Sequence, residues 1–133
     1  MKKLFLTTLL LSFFALQSCG NQQSNEIEMV SALQVYEAVY GEDSLQLVDV
    51  RTKEEYDVSH LKSAQNICVT SEDFEEKVQE LDKEKPVYVY CKKGGRSAKA
   101  ASILKEMGFT KVYDLQGGLT SWQDEGLETV EIP

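Results

Sequence analysis

The sequence predicts an α/β domain in which a parallel sheet is covered by helices on both faces. Two observations carry this. Apolar runs of strand length alternate along the chain with segments whose apolar residues recur at three- and four-residue spacing. The length of 133 residues suits one such domain with a single core.

The elements read in order as follows. Ile27 to Val30 forms a short strand, and Ser31 caps a helix from Ala32 to Tyr40 that Gly41 stops. Leu45 to Val50 is an apolar run of strand length, after which Thr52 caps a short helical turn from Lys53 to Tyr56. A further short strand lies around Gln65-Asn66-Ile67. Ser71 then opens an acidic helix from Glu72 to Leu81, with Phe74, Val78 and Leu81 on one face. Pro86 precedes the strand Val87 to Tyr90, as suits a residue with no N–H to give a ladder. Arg96 to Met107 is a helix ended by Gly108, Lys111 to Leu115 the last strand, and Leu119 to Glu125 the last helix.

Composition removes several classes of function. The chain has 14 Lys+Arg, 22 Asp+Glu, one His and three Cys. Its net charge of −8 lacks the basic footprint of a general nucleic-acid binder. A single histidine and three cysteines argue against a four-ligand structural zinc site, and no metal or other cofactor is expected.

The first 18 residues read as a leader rather than as part of the fold. Lys2 and Lys3 precede an apolar run from Leu4 to Leu16, shorter than the roughly 20 residues of a spanning helix. The ending Leu16-Gln17-Ser18-Cys19 resembles a bacterial lipobox, in which the cysteine becomes the lipidated first residue of the mature chain. Residues 19–26 are then a polar tether and residues 27–133 the folded domain. Removing the leader, which holds two lysines and no acid, changes the net charge from −8 to −10. A domain this acidic gains nothing from an anionic membrane surface, so attachment would come through acyl chains on Cys19. The expected location is exported and membrane-anchored, facing a bacterial periplasm.

The segment after Tyr90 carries the chemistry. It reads Cys91-Lys92-Lys93-Gly94-Gly95-Arg96-Ser97, a cysteine at the end of a buried strand, then two glycines, then the start of a helix. A helix N-terminus presents unpaired N–H groups and the positive end of the macrodipole, so this loop should hold an anion. A thiol placed there has a lowered pKa and is a nucleophile at neutral pH. Lys92, Lys93 and Arg96 concentrate positive charge at one place on an acidic surface. Taken alone, a cysteine at a strand end is more often a small buried hydrophobe. Cys, two Gly and Arg within six residues of a strand–helix junction favour the nucleophile. The spacing of a phosphate-binding G-x-x-x-x-G-K-[ST] loop is absent.

Three stretches together resemble the rhodanese family of sulfurtransferases. Leu47-Val48-Asp49-Val50-Arg51, with Glu55-Tyr56 and Ser59 to Ile67, is similar to the family's first signature. Cys91 to Ser97 is similar to its active-site loop, C-x-x-G-x-R-S, and Val112 to Trp122 to its closing V-x-x-L-x-GG-x-x-x-W mark. Ser59 stands where the family usually has glycine, Ser63 where a second glycine is common, and Cys68 where proline often follows Asn-Ile. The resemblance implies a three-layer domain with a five-stranded parallel sheet. It also implies a two-step transfer. Cys91 takes the sulfane sulfur of thiosulfate or a similar small anion as a persulfide, held by N–H groups from Lys92 to Ser97, and passes it to a thiol, cyanide or a protein cysteine. Arg96 would orient the loop and steady the anionic donor, while Lys92 and Lys93 attract it.

The spacing from Cys91 to Arg96 is C-x4-R, one residue shorter than the C-x5-R of phosphatases that share this fold. A phosphatase or arsenate reductase is therefore the weaker enzyme reading, and a non-catalytic binding or sulfur-relay module the other alternative. Asp49, Arg51 and the sole histidine, His60, are read as a supporting network around the site. Cys68 is expected as a free, partly buried thiol, since two strand spacings of about 4.8 Å separate it from Cys91, too far for a disulfide. The domain is expected to act as a monomer.

Overall fold

Ten elements follow one another along residues 26–133, the part of the chain that the computed structural model describes. They are β1 (Ile27–Val30), α1 (Ala32–Gly41), β2 (Gln46–Asp49), α2 (Lys53–Val58), β3 (Gln65–Asn66), α3 (Phe74–Val78), β4 (Val87–Tyr90), α4 (Gly95–Glu106), β5 (Val112–Leu115) and α5 (Gly118–Asp124). The strands form one sheet in the order β1-β5-β4-β2-β3, and every pairing is parallel. The expectations about Cys19, the leader and most of the tether lie outside the described residues.

Strand alternation divides the core in two. Val48, Val87, Val89, Cys91 and Val112 join Phe74, Val78, Ala100, Ala101 and Leu104 on the face that α3 and α4 cover. Leu47, Tyr90 and Leu115 join Val35, Val39, Leu119 and Trp122 on the face that α1 and α5 cover. Phe109 and Trp122 are buried, and each fully buried Leu or Val contributes about 1.5–3 kcal/mol of transfer free energy.

Side-chain caps explain where two of the five helices begin. Ser31 accepts the Gln34 N–H while the Gln34 side chain accepts the Ser31 N–H, and Thr52 and Glu55 form the same reciprocal pair at α2. Two predicted boundaries need correction. Gly41 remains inside α1, and Glu42 is the cap that follows it. Ser71 does not open α3: its hydroxyl donates to the Asp73 carboxylate at 2.6 Å, and Asp73 becomes the N-cap residue of a helix of only five residues. After Val78 the backbone closes i→i−3 bonds, Glu80 to Lys77 and Leu81 to Val78, which tighten and end the helix early. The apolar face was read correctly all the same, since Phe74, Val78 and Leu81 are buried.

The order of the strands decides where a ligand can sit. From β2 the chain passes to β3 on one side, and from β4 it passes to β5 on the other. The two connections diverge, so the carboxyl ends of β2 and β4 leave a crevice between them. Asp49 and Arg51 lie at one lip and Cys91 at the other, with Val50 N–H bonded to Tyr90 O at 3.0 Å.

Ser63, at a position where the resemblance leads one to expect glycine, has φ of 66°. It is the one non-glycine with a positive φ among the described residues, so the loop keeps the backbone that glycine suits best. Ser63→Gly should raise stability by about 0.5–1 kcal/mol, because relief of the left-handed strain outweighs the added freedom of the unfolded chain. Urea unfolding midpoints check this, and an unchanged or lower midpoint contradicts it.

Candidate functional site

Cys91 is the first residue beyond β4, and its side chain is 2% exposed. The sulfur accepts the Gly94 N–H at 3.0 Å and lies 3.6 Å from the Ser97 hydroxyl. Burial pushes the thiol up, but the Ser97 hydroxyl and the N–H groups of Ser97, Gly94 and Lys93 outweigh it and hold the thiol below its ordinary range. Gly94 makes this possible. Its φ of 118° turns the chain so that α4 starts at Gly95 with its N-terminal N–H groups around the sulfur.

The loop is held from two sides. Leu119 N–H donates to Cys91 O at 2.8 Å and Thr120 N–H to Lys92 O at 3.0 Å, so the start of α5 grips the loop's carbonyls. This contact requires Gly118. A Cβ there would press into Cys91 O and lie 2.8 Å from the Lys92 carbonyl carbon. The double glycine of the closing motif thus serves the cysteine loop directly.

On the other side, Arg96 reaches α2. Its two Nη atoms donate to Glu55 Oε2 at 2.6 Å and Oε1 at 2.9 Å in a bidentate pair. The Arg96 guanidinium holds the Glu55 carboxyl down at about 2, against the opposing effect of burial. Arg96 therefore orients the loop. Lys92 and Lys93 are exposed and form no ion pair among the described residues, so the loop's free positive charge is theirs. Lys92 lines an open cleft of about 260 Å³ with Arg51, Glu55, Val58, Ser59 and Leu119.

The supporting residues form a buried network beside the loop. Asp49 is fully buried and takes Arg51 Nη2 at 2.6 Å, Arg51 Nε at 3.0 Å and the Tyr90 hydroxyl at 2.7 Å. Burial works against the Arg51 charge, and the Asp49 carboxylate more than offsets it. Burial and the nearby Asp49 carboxylate push the Tyr90 phenol far up, so it stays neutral and donates. Arg51 also donates to Ser59 O at 2.7 Å, and the Tyr90 oxygen accepts from Leu61 N–H at 3.0 Å. One network therefore joins β2, β4 and the loop before β3. His60 Nδ1 lies 2.9 Å from Tyr56 O, its ring stacks on Tyr56 at 3.7 Å, and its backbone pairs with Val130. It fixes the α2–β3 loop and the chain's end. Cys68 and Cys91 are both free thiols, and Cys68 is half-buried with its sulfur 3.2 Å from Thr70 Oγ1.

Sequence reasoning passed over three contributors. Glu55 was legible only as part of a motif, its partner lying 41 positions away. The Tyr90 hydroxyl and Asp114 read as strand residues, yet the first completes the network and the second is buried near Ser97.

Comparison with known proteins agrees with this arrangement. Residues 31–125 match the family model for the rhodanese-like domain. The chain is 35% identical over 96 residues to the thiosulfate sulfurtransferase GlpE of Coxiella burnetii, covering 72% of this chain and 87% of that protein. It is 38% identical over 77 residues to protein YqhL of Bacillus subtilis, covering 58% of this chain and 60% of YqhL. Among solved structures, a rhodanese-like domain protein from Staphylococcus aureus superposes with a TM-score of 0.66 at 28% identity, over 76% of this chain and 96% of that one. The Alr3790 protein of Anabaena gives a TM-score of 0.72 at 28% identity, over 77% of this chain and 82% of that one.

The Glu55–Arg96 pair has a stated pH signature. Its stabilisation is fully present above the ordinary carboxyl value of 4.5 and is lost as pH falls toward about 2. Both side chains are about one-third exposed, so water screens the pair and the effect is modest. The difference in Tm between wild type and Glu55→Gln should shrink steadily as pH falls from about 5 to 2. A difference that stays constant over that range would show that the ion pair does not contribute.

Proposed function

The chain belongs to the rhodanese-like domain family, and on that premise we propose that it is a sulfurtransferase with Cys91 as its nucleophile. The observation that carries this reading is the sulfur itself. It is buried, hydrogen-bonded by backbone N–H groups at the start of α4, and held below the ordinary thiol range.

In the first step the Cys91 thiolate attacks the outer sulfur of thiosulfate or a similar anionic donor. A new S–S bond forms, the donor's S–S bond breaks, and sulfite leaves with the bonding pair. Lys92 and Lys93 draw the anion to the cleft, and Arg96, fixed by Glu55, keeps the loop in shape. The N–H groups that surround the thiolate then surround the Cys91 persulfide. In the second step an acceptor thiolate, cyanide or a protein cysteine attacks the outer sulfur, and Cys91 departs as the thiolate. A lowered thiol ionises more readily, which lessens the need for a separate base. Asp49, Arg51 and His60 act through the loops they hold.

Incubation with thiosulfate should give an intact-mass increase of about 32 Da, one sulfur atom, in wild type but not in Cys91→Ser. Cyanide should then release thiocyanate and return the original mass. Hydrolysis of an aryl phosphate without any adduct would favour the phosphatase reading, and absence of both activities a binding module.

The same reading extends to location. Cys19 closes an apolar run and precedes a polar tether, which supports an exported lipoprotein anchored by acyl chains and facing the periplasm. Cys19→Ala should move the protein from the membrane to the soluble fraction. Retention in the membrane fraction would overturn the anchor.

A further inference from the structure

Holding the loops beside the site uses only part of the Arg51 side chain. Nε donates to Asp49 Oδ1 at 3.0 Å, and Nη2 donates to Asp49 Oδ2 at 2.6 Å and to Ser59 O at 2.7 Å. Nη1 has no hydrogen-bond partner among the described residues, although the side chain is only 3% exposed. Nor is Nη1 sealed in. Among the described residues the fully buried side-chain nitrogen or oxygen without a partner is Asp114 Oδ1. Arg51 lines the open cleft of about 260 Å³, and Nη1 is the end of its fork that remains to face it. A charged donor so placed takes its acceptor from whatever enters the cleft.

The other walls say what that is. Lys92 is exposed and forms no ion pair among the described residues, while the Glu55 charge is taken up by Arg96. Val58, at the end of α2, is 73% exposed, and with Leu119 it gives the cleft an apolar side. The volume lies just under the roughly 300 Å³ at which small-molecule sites begin, so a small organic molecule fits and a folded domain does not. Asp49 pairs with Tyr90 in the sheet, which sets Arg51 one residue beyond the position facing Cys91. Cys91 adjoins the cleft without being part of its wall. Thiosulfate, whose anionic end is one S–S bond of about 2 Å from its reacting sulfur, spans little of that distance. We propose that the cleft is a carboxylate subsite for the sulfur acceptor, a small organic thiol. Arg51 Nη1 and Lys92 Nζ take its carboxylate, and its short apolar stem lies on Val58. The thiol gives its proton to water, and the thiolate attacks the outer sulfur of the Cys91 persulfide. One S–S bond forms to the acceptor, the S–S bond to Cys91 breaks, and Cys91 keeps the bonding pair as thiolate.

The proposal rests on Cys91 as the reactive thiol, so its test begins with a readout that needs no sulfur transfer. Methylthiopropionate, which has no thiol to react, should protect Cys91 of the full chain from iodoacetamide, measured on the peptide that carries Cys91. Half-protection should come at a concentration about five- to ten-fold lower than for its neutral amide, the difference being one charge-assisted contact. Val58→Glu puts a negative charge on an exposed lip, where the fold tolerates it, and should bring that ratio close to one. Lys92→Gln and Arg51→Lys, which removes Nη1 but leaves a cation for Asp49, should lower it as well. If Arg51→Lys does not fold, the Val58 and Lys92 variants still decide. With the persulfide loaded, mercaptopropionate should take the sulfur with a kcat/KM about five- to ten-fold above that of its amide, and Val58→Glu should erase the difference. Equal protection by acid and amide would overturn the subsite, as would a preference that survives in all three variants. Sulfate protecting as well as methylthiopropionate would overturn the organic stem. No protection by either thioether would also overturn the proposal and leave a protein cysteine as the acceptor. Failure of the persulfide to form, with protection intact, would instead remove the sulfurtransferase reading, so the two fail separately.

Discussion

The site depends on one arrangement: a sulfur buried at the end of a parallel strand, with a helix beginning around it. Burial alone would keep Cys91 protonated and inert. The Ser97 hydroxyl and the N–H groups of Ser97, Gly94 and Lys93 outweigh that burial and hold the thiol below its ordinary range. Such a cradle of N–H groups favours negative charge on a sulfur held in the loop. The loop must therefore be stiff, and the rest of the domain is arranged to make it so.

Stiffness comes from restraints of different chemical kinds. On one side α5 holds the loop's carbonyls through Leu119 and Thr120, at a backbone approach that only Gly118 allows. On the other, the Glu55–Arg96 pair ties the first turn of α4 to α2. Beneath them the Asp49–Arg51 pair is costly to bury, and is acceptable because the Tyr90 hydroxyl, the Arg51 N–H and Ser59 O satisfy what the ion pair leaves over. That network joins the two strands whose diverging connections open the crevice, so the lips of the cleft cannot separate easily.

The division of charge follows from the same geometry. The chain as a whole is acidic, yet the loop carries Lys92 and Lys93 free of ion pairs among the described residues. Arg96, which looks from its position like a third attracting charge, is neutralised by Glu55 and contributes shape instead. The loop therefore presents two exposed ammonium groups, and the guanidinium holds the frame behind them.

How much of this was legible depends on the range of the interactions. Elements set by local periodicity and caps read well: Ser31 and Thr52 sit in reciprocal capping pairs, and the strands fall within a residue or two of their predicted limits. The helix from Ser71 failed because a two-residue side-chain contact, Ser71 to Asp73, won over the cap the pattern suggested. Ser63 retains a glycine-like backbone without glycine, which no local signal marks. By itself the sequence determined the order of elements, the parallel class of sheet, and the cysteine loop at a strand–helix junction, because periodicity, caps and short-range spacing are properties of neighbours along the chain. Only the tertiary structure decided that Glu55 claims Arg96, that Gly118 seats against Cys91, and that the Tyr90 hydroxyl completes the Asp49–Arg51 pair. Those pairings join residues tens of positions apart, and only packing of the sheet between its two helical layers brings them into contact.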